Sequence, residues 1–336
     1  MLVNPAYKIV IGGKLIDTTD EPRASTVVAL NVALDMETPA DSFTLVLGNV
    51  GSFRPARGDE TKIELGYFGD EDDEELTQVV SGTIETIEPN LTTTRINGYS
   101  GATAVLRARV EKTYENMEAG EIVRDLASQA GVDVATAEAG VTFPAYVVDG
   151  RRNVYAHMAD LAALCGFDLY INPEGELVFE KFVNGKKIHV FEYKKHILAL
   201  DVQRLPPRAG LVEAWGESPA KGEADDTWAW LTKDFAGAKG SAGSGALMLL
   251  ERASLRTVEA ARSAAEATLT NIKRRTLRGS LKSVGRPAIK LGDAIRLSEM
   301  PDESLNDSFQ VRSVTHRITK LGGFTTTVGF RAIEAS

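Results

Sequence analysis

Short segments in which polar and apolar residues alternate recur through the first hundred residues of this chain. They lie at 7–11, 14–16, 27–34, 42–47, 62–67, 79–87 and 92–99, and Gly, Pro and Asp separate them. A two-residue period places one row of side chains in a core and the other row in solvent. Short strands at this spacing predict an antiparallel β-barrel or β-sandwich.

The middle of the chain has a different pattern. Residues 117–130 carry apolar side chains at helical spacing and stop at Gly131, which predicts a helix with a glycine C-cap. A second helix is predicted over 153–165, with Asn153 as N-cap and Gly166 as its stop. A hairpin is predicted next, with strands at 168–171 and 176–180 around the turn 172–175. These elements indicate a small α+β unit.

Strands resume at Ala199 and continue to the end of the chain, with two interruptions. Residues 235–246 are rich in Gly, Ala and Ser, which predicts a flexible loop or linker. A long helix is predicted over 257–275. Its apolar stripe consists of Val258, Ala261, Ala265, Leu269 and Ile272.

A chain of 336 residues is longer than one typical domain. We predict a first β-barrel domain over 1–105, an α+β middle domain over 106–198 and a second β-barrel domain over 199–336. The last domain includes the long helix and the loop near 235–246. The predicted fold class is therefore mainly β, with two related antiparallel barrels joined by a small α+β insert.

The strand segments near the two ends of the chain resemble each other. In the front copy, Gly58 and Asp59 precede strands at 63–65, 83–87 and 92–96; in the back copy, Gly292 and Asp293 precede strands at 295–297, 311–318 and 325–330. Gly-Asp turns and Thr-rich strands are common, so one alternative is coincidence. Because order and spacing both match, we favour two related barrels. Three such chains would present six similar units around an axis and could dock on a sixfold ring.

Composition and charge exclude several classes of protein. The chain has 38 Lys and Arg against 47 Asp and Glu, a net charge of -9 that disfavours binding to nucleic acid. Its single cysteine, Cys165, rules out an internal disulfide and fits folding in the bacterial cytoplasm. No apolar run is long enough to span a membrane, and the N-terminus lacks the pattern of a signal peptide.

No catalytic, cofactor-binding or metal-binding residues are predicted. The acidic run 70–75 lacks the glycine and ligand spacing of a calcium loop, and a solvated hairpin tip explains it better. The four histidines, His157, His189, His196 and His316, do not have the close spacing of zinc ligands. Cys165 is interpreted as a small buried apolar residue.

Two further motifs have structural explanations. Arg57, Gly58 and Asp59 spell a cell-adhesion tripeptide, but Gly-Asp recurs at Gly292 as a turn before a strand. The basic cluster 273–278 could contact nucleic acid. However, a helix C-terminus favours cations, and docking to an acidic partner explains the cluster equally well.

Several segments resemble the late control protein D family, the baseplate hub of contractile-tailed phages, and the hub half of VgrG-type spikes. In the front part these are 45–47, 57–59, 64–67 and 80–84; in the middle, 121–127, 131–132 and 160–166; at the end, 292–293, 311–316 and 322–326. The likeness covers essentially the whole chain. Each segment alone is weak, and their common order is what makes the resemblance specific.

The resemblance implies a structural protein without catalytic activity. It implies a homotrimer, coaxial with the tail tube, that joins the hexameric tube ring to a trimeric spike protein and meets other baseplate (wedge) proteins in the virion. The sequence ends at Ser336, so we expect the spike needle to be a separate chain. Two alternatives stay open: a hub-associated cell-wall-degrading enzyme, and the hub of a non-phage, extracellular or type VI-like, contractile injection system.

Overall fold

We describe a computed structural model of the chain. It describes residues 4–18, 26–38, 40–48, 54–68, 76–183, 187–216, 218–219, 231–232 and 239–333. The acidic run 70–75 lies outside these ranges. Among the helices of the described residues, none is both long enough and apolar enough to cross a membrane.

Most elements of the fold are strands. The strands are β1 (Asn4–Ile11), β2 (Lys14–Asp17), β3 (Val27–Asp35), β4 (Ser42–Gly48), β5 (Glu60–Phe68), β6 (Thr77–Pro89), β7 (Thr93–Tyr99), β8 (Lys112–Glu118), β9 (Val134–Ala137), β10 (Thr142–Val148), β11 (Asp168–Ile171), β12 (Leu177–Glu180), β13 (Ile188–Glu192), β14 (Ala199–Arg204), β15 (Leu211–Trp215), β16 (Ser218–Pro219), β17 (Leu231–Thr232), β18 (Lys239–Gly243), β19 (Leu247–Glu251), β20 (Leu277–Val284), β21 (Ala294–Ser298), β22 (Ser308–Thr319) and β23 (Gly323–Ala332). The helices are α1 (Ala102–Arg107), α2 (Ala119–Ala130), α3 (Val154–Cys165) and α4 (Val258–Arg274).

Local sequence signals account for the ends of these elements. Gly12 and Gly13 have φ of +52° and +83°, the left-handed conformation that a two-residue turn between β1 and β2 requires. Gly131 and Gly166 end α2 and α3 in the same conformation. The Asn153 side chain accepts a hydrogen bond from the backbone N–H of Ala156 at the start of α3. The predicted helices and the hairpin of β11 and β12 are thus present, within one or two residues of the predicted bounds.

The large sheet contains the same arrangement of six strands twice. The first module has the sheet order β3-β4-β7-β6-β5-β1, and the second module has the order β14-β20-β23-β22-β21-β13. The strands also follow one another along the chain in the same sequence in both modules. Equivalent bulges interrupt β6 between Ile84 and Thr86 and β22 between Val311 and Ser313. The modules differ in strand direction at one pair, because β1 runs antiparallel to β5 whereas β13 runs parallel to β21.

The predicted fold class, mainly β with an α+β insert, is confirmed. The two modules are nevertheless not separate bodies, because β22 of the second module pairs with β3 of the first. The result is a single 13-stranded sheet that also includes β2. One buried cluster extends through both modules, from Ile9 and Phe43 to Val314 and Phe330.

A second buried cluster forms what we call the middle body, which comprises α1–α4, β8–β12, β15, β18 and β19. The prediction placed α4 and everything after Ala199 in the second barrel. In the structure, the buried face of α4 (Ala261, Ala265, Leu269) belongs to the cluster of α2 and α3 instead. The segment between β14 and β20 is therefore an insertion into the second module that packs on the middle body.

The predicted flexible loop at 235–246 is wrong over part of its length. Residues 235–238 lie outside the described ranges, but Lys239–Gly243 is strand β18, paired antiparallel with β15. A Cβ atom at Gly240 would lie 2.1 Å from the backbone nitrogen of Arg262 on α4. The small residues therefore let strand and helix approach closely, and the glycine-rich composition of this part serves close packing rather than flexibility.

Candidate assembly interface

The two modules of one chain meet at an internal strand junction. Seven antiparallel pairs, from Ser313 with Asp35 to Thr319 with Ala29, join β22 to β3. Val314 on β22 and Val32 on β3 are both fully buried, so the core continues beneath the junction. Backbone hydrogen bonds and apolar contacts therefore hold the two modules of the chain together.

The turns that precede β5 and β21 have matching geometry. Gly58 and Gly292 adopt φ of +88° and +81°. The Asp59 carboxylate accepts from the backbone N–H of Ala56 at 2.8 Å, and the Asp293 carboxylate accepts from that of Lys290 at 3.0 Å. The carbonyl oxygens of the same two aspartates accept from the N–H groups of Ile84 and Val311 at 3.0 and 2.9 Å. The Arg-Gly-Asp tripeptide is thus a strand-entry turn, and the sequence duplication is a structural one.

We expect the two turns to respond unequally to loss of their aspartate. Asp59→Ala removes a hydrogen bond at an exposed turn, so the free energy of unfolding should fall by about 1 kcal/mol. Asp293→Ala should lower it by about 2–3 kcal/mol, because Asp293 also contacts the His189 imidazole at 2.8 Å and both side chains are largely buried. Urea unfolding of both variants measures the difference, and equal losses would contradict it.

Among the described residues, each module leaves open one strand edge that corresponds to a side of the internal junction. β6 pairs with β5 as far as Thr83 and with β7 from Thr83 onwards. Within the described residues, the edge of β6 beyond Thr83 that faces away from β7 has no strand partner. β14 pairs with β20, and the described residues place no strand on its other side. Unpaired backbone groups on an edge form a template for a further strand.

A buried charge network attaches the middle body to the second module. Asp168, the first residue of β11, accepts hydrogen bonds from Gln310 and Arg312 of β22 at 2.5 Å each. Arg331 of β23 lies 3.4 Å from the same carboxylate and donates to the Gln310 side chain at 2.9 Å. Burial lowers the pKa of Arg331 to about 9. Asp168 is therefore the anion that compensates two largely buried guanidinium groups.

A cleft of about 970 Å³ separates the second module from α4. Its lining includes five arginines, namely Arg208, Arg275, Arg278, Arg312 and Arg331, and three acidic residues, namely Asp35, Glu37 and Asp201. The basic cluster 273–278 predicted from sequence is divided here: Arg275 and Arg278 line the cleft, whereas Arg274 donates to the carbonyl of Ile333. One member of the basic cluster, Arg274, therefore stabilises a contact within the chain.

The cysteine and the histidines noted in the sequence occupy structural positions. Burial raises the pKa of the Cys165 thiol to about 11, and its sulfur accepts from the N–H of Val141. A thiol with so high a pKa is a poor nucleophile at neutral pH. Each histidine has a hydrogen-bond partner elsewhere in the chain. His157 contacts the carbonyl of Asp149, and His189 contacts the carboxylate of Asp293. His196 accepts from the N–H of Glu192, and His316 contacts the hydroxyl of Thr326. The described residues bring together no group of three His, Cys, Asp or Glu that could hold a metal ion.

Two features of the interface were missed at the sequence level. The role of Asp168 has no local signal, because its partners lie more than 140 positions away. The edge strand β14 does have one: Ala-Leu-Asp-Val at 199–202 repeats Ala-Leu-Asn-Val at 29–32, and these are equivalent positions of β14 and β3. Extending the duplication to those four residues would have identified both strands.

Comparison with solved structures gives matches along the whole chain. The 43 kDa tail protein of prophage MuSo2 from Shewanella oneidensis matches with a TM-score of 0.72 and 12% identity, over 97% of this chain and 98% of that one. A tail protein from Neisseria meningitidis MC58 matches with a TM-score of 0.69 and 14% identity, over 98% and 97%.

A third match comes from a secretion system. An E. coli component of the type VI secretion system, described as structurally similar to the T4 bacteriophage tail proteins gp27 and gp5, matches with a TM-score of 0.58 and 10% identity. The alignment covers 98% of this chain and 77% of that one. No protein-family model matches the sequence, and no curated protein matches it. The chain thus has the fold of these phage tail proteins, and at the level of fold the resemblance predicted from sequence is confirmed.

Proposed function

We propose that this protein is the structural baseplate hub of a contractile phage tail. Three copies form a homotrimer coaxial with the tail tube. One face of the trimer receives the hexameric tube ring, the other holds the trimeric spike protein, and wedge proteins contact the outside. The chain is synthesised and assembled in the bacterial cytoplasm and becomes part of the virion.

The duplicated module carries this proposal. Each chain presents two six-stranded units of the same topology, already joined edge to edge through β22 and β3. A ring that repeats this junction around an axis contains six similar units when it contains three chains. Such a ring is threefold in sequence and close to sixfold in shape. This is the symmetry that an adaptor between a sixfold tube and a threefold spike requires.

The solved structures support a role in a tail or injection machine. Two of the matched proteins are tail proteins, and this chain covers nearly all of each. The match to the type VI secretion component favours a second candidate, the hub of a non-phage contractile injection system. Both candidates use the same trimer and the same two faces, and they differ in the machine that is assembled.

The proposed role includes no catalytic activity. The net charge of a trimer would be 3 × -9 = -27. If the acidic surplus faced the bore, it would limit adhesion of passing DNA or cargo. Zymography of the purified protein on peptidoglycan is expected to show no clearing, with lysozyme as the positive control. If the purified protein clears peptidoglycan and this activity persists after a second purification step, the result would support the hydrolase alternative.

The assembly is tested by mass and by copurification. Native mass spectrometry is expected to give a trimer of 3 × 36.2 = 108.6 kDa. Coexpression with the tube and spike proteins of the same gene cluster is expected to yield one complex with three hub chains. A chain that stays monomeric at all concentrations, with and without both partners, would contradict the proposed function.

A further inference from the structure

The internal junction uses one strand from each module, and the equivalent pair of strands is left over. Sheet order makes β6 the equivalent of β22, and β14 the equivalent of β3. β22 and β3 pair within the chain, whereas the equivalent edges of β6 and β14 have no strand partner among the described residues. The two open edges therefore match the two sides of a junction that the chain already makes once.

We propose that β6 of one copy pairs antiparallel with β14 of the next copy, in the register of the internal junction. This inference rests on the proposed trimer and names the surfaces that form it. The contact is head-to-tail, because different surfaces of the two copies meet. It closes into a ring of three chains if every module is turned by the same sixth of a circle.

Cross-strand partners fix the register on the β6 side. Ile87 lies two positions after the bulge of β6 and opposite Ile96 of β7. Val314 lies two positions after the bulge of β22 and opposite Val328 of β23. Ile87 is therefore equivalent to Val314. Glu88 comes directly after Ile87, and Thr315 comes directly after Val314, so Glu88 is equivalent to Thr315.

The β14 side is fixed in the same way. Ala33 of β3 pairs with the first residue of β4, Ser42, which lies opposite Tyr99 of β7. Gln203 of β14 pairs with Arg278 of β20, which lies opposite Arg331 of β23, the equivalent of Tyr99. Gln203 is therefore equivalent to Ala33. Because Thr315 pairs with Ala33 inside the chain, Glu88 of one copy lies opposite Gln203 of the next.

The backbone geometry of this pair follows from the hydrogen bonds of the internal junction. The N–H of Met36 donates to the carbonyl of Arg312, which makes them a hydrogen-bonded pair. Hydrogen-bonded and non-hydrogen-bonded pairs alternate along an antiparallel ladder. The pair of Thr315 with Ala33, three steps away, is therefore non-hydrogen-bonded. Its equivalent, Glu88 with Gln203, has the same close Cα spacing of about 4.5 Å.

The junction between copies is shorter than the one within a chain. β22 continues to Thr319, whereas β6 ends at Pro89, the equivalent of His316. The opposed pairs are therefore Thr86 to Pro89 against Leu205 to Val202, four instead of the seven inside the chain. One side chain on the β14 edge suits the contact: Leu205, which would lie opposite Thr86, is 45% exposed in the single chain. Fewer pairs make this junction the weaker one, so assembly depends on concentration.

A disulfide trap tests both the edge and the register. The double variant Glu88→Cys with Gln203→Cys places two thiols on a non-hydrogen-bonded pair, within the Cα range of 4.4–6.8 Å that a disulfide spans. After mild oxidation we expect a covalent trimer on a non-reducing gel that reverts to monomer on reduction. The matched control, Glu88→Cys with Asp201→Cys, lies two positions out of register and should give less than a tenth as much trimer. Cys165 is largely buried and is common to both variants.

The possible outcomes separate this inference from the proposed function. If native mass spectrometry shows a trimer and oxidation gives no covalent trimer, the strand pairing is wrong and the hub proposal stands. Equal cross-linking of both variants would overturn the register. A covalent ladder beyond three copies would overturn the closed ring. A chain that is monomeric under all conditions would overturn the inference and the trimeric hub together.

Discussion

Replacement of Asp168 by Ala is expected to lower the free energy of unfolding by about 3–5 kcal/mol, the range for removing one partner of a buried ion pair. Asp168 is 7% exposed, and the two guanidinium groups beside it, Arg312 and Arg331, are 15% and 7% exposed. Without the carboxylate, two buried cations face each other with one neutral hydrogen-bond partner, Gln310. Urea titration monitored by tryptophan fluorescence measures the loss.

The matched control is Asp160→Asn, which removes an ion pair with Arg152 of comparable length, 2.5 Å, between side chains that are 35% and 43% exposed. Solvent screens that pair, so the loss should stay below about 1 kcal/mol. A triple variant, Asp168→Leu with Arg312→Met and Arg331→Met, replaces the buried charges by apolar groups. It should recover at least half of the loss. A triple variant as unstable as Asp168→Ala would show that packing, and not uncompensated charge, is responsible.

Local signals explain why much of the fold could be predicted from sequence. The caps at Asn153, Gly131 and Gly166 define helix ends within a few residues of chain, and the alternation of polar and apolar residues defines the strands of the first module. The duplication was visible because its turn needs a left-handed glycine followed by an aspartate that caps the turn. Each of these signals depends on a few adjacent residues, so it can be recognised directly in the amino-acid sequence.

Long-range pairing explains what could not be predicted. Nothing near β22 indicates that its first half pairs with β21 and its second half with β3 of the other module. The alanine-rich face of α4 would fit a barrel or a helical body equally well, and only packing against α3 and β18 decides between them. The open edges of β6 and β14 become apparent only once the strand pairing of both modules is known.

The imidazole of His316 is buried at the internal junction in its neutral form. The Thr326 hydroxyl accepts from the N–H of Arg286 at 2.8 Å and lies 3.0 Å from Nδ1 of His316. The tautomer of the imidazole decides which of these two atoms donates, and Nε2 has no hydrogen-bond partner within the described residues. Phe324 packs on the ring at 5.9 Å. Burial lowers the pKa of His316 from 6.5 to about 3.

Acid should therefore weaken the protein through His316. Its folded-state pKa is below the unfolded value, so its contribution to stability is complete above pH 6.5 and is lost as the pH falls towards 3. At about 1.4 kcal/mol per pKa unit, the loss between pH 6.5 and 4 is about 3 kcal/mol. Asp41 acts in the opposite direction, because burial raises its pKa from 3.8 to about 7 and its contribution is lost as the pH rises through 7.

The two groups should nearly cancel in the unmodified chain, and single variants separate them. The free energy of unfolding of His316→Leu relative to the unmodified chain should rise by about 3 kcal/mol between pH 6.5 and 4, because the variant lacks the loss of stability that protonation of His316 causes. That of Asp41→Asn should fall by a similar amount, about 3 kcal/mol, over the same range. Asn keeps an oxygen that can accept from the N–H of Asp35, the contact that Asp41 makes at 2.9 Å. Parallel pH profiles for the three proteins would mean that burial holds neither side chain in its neutral form.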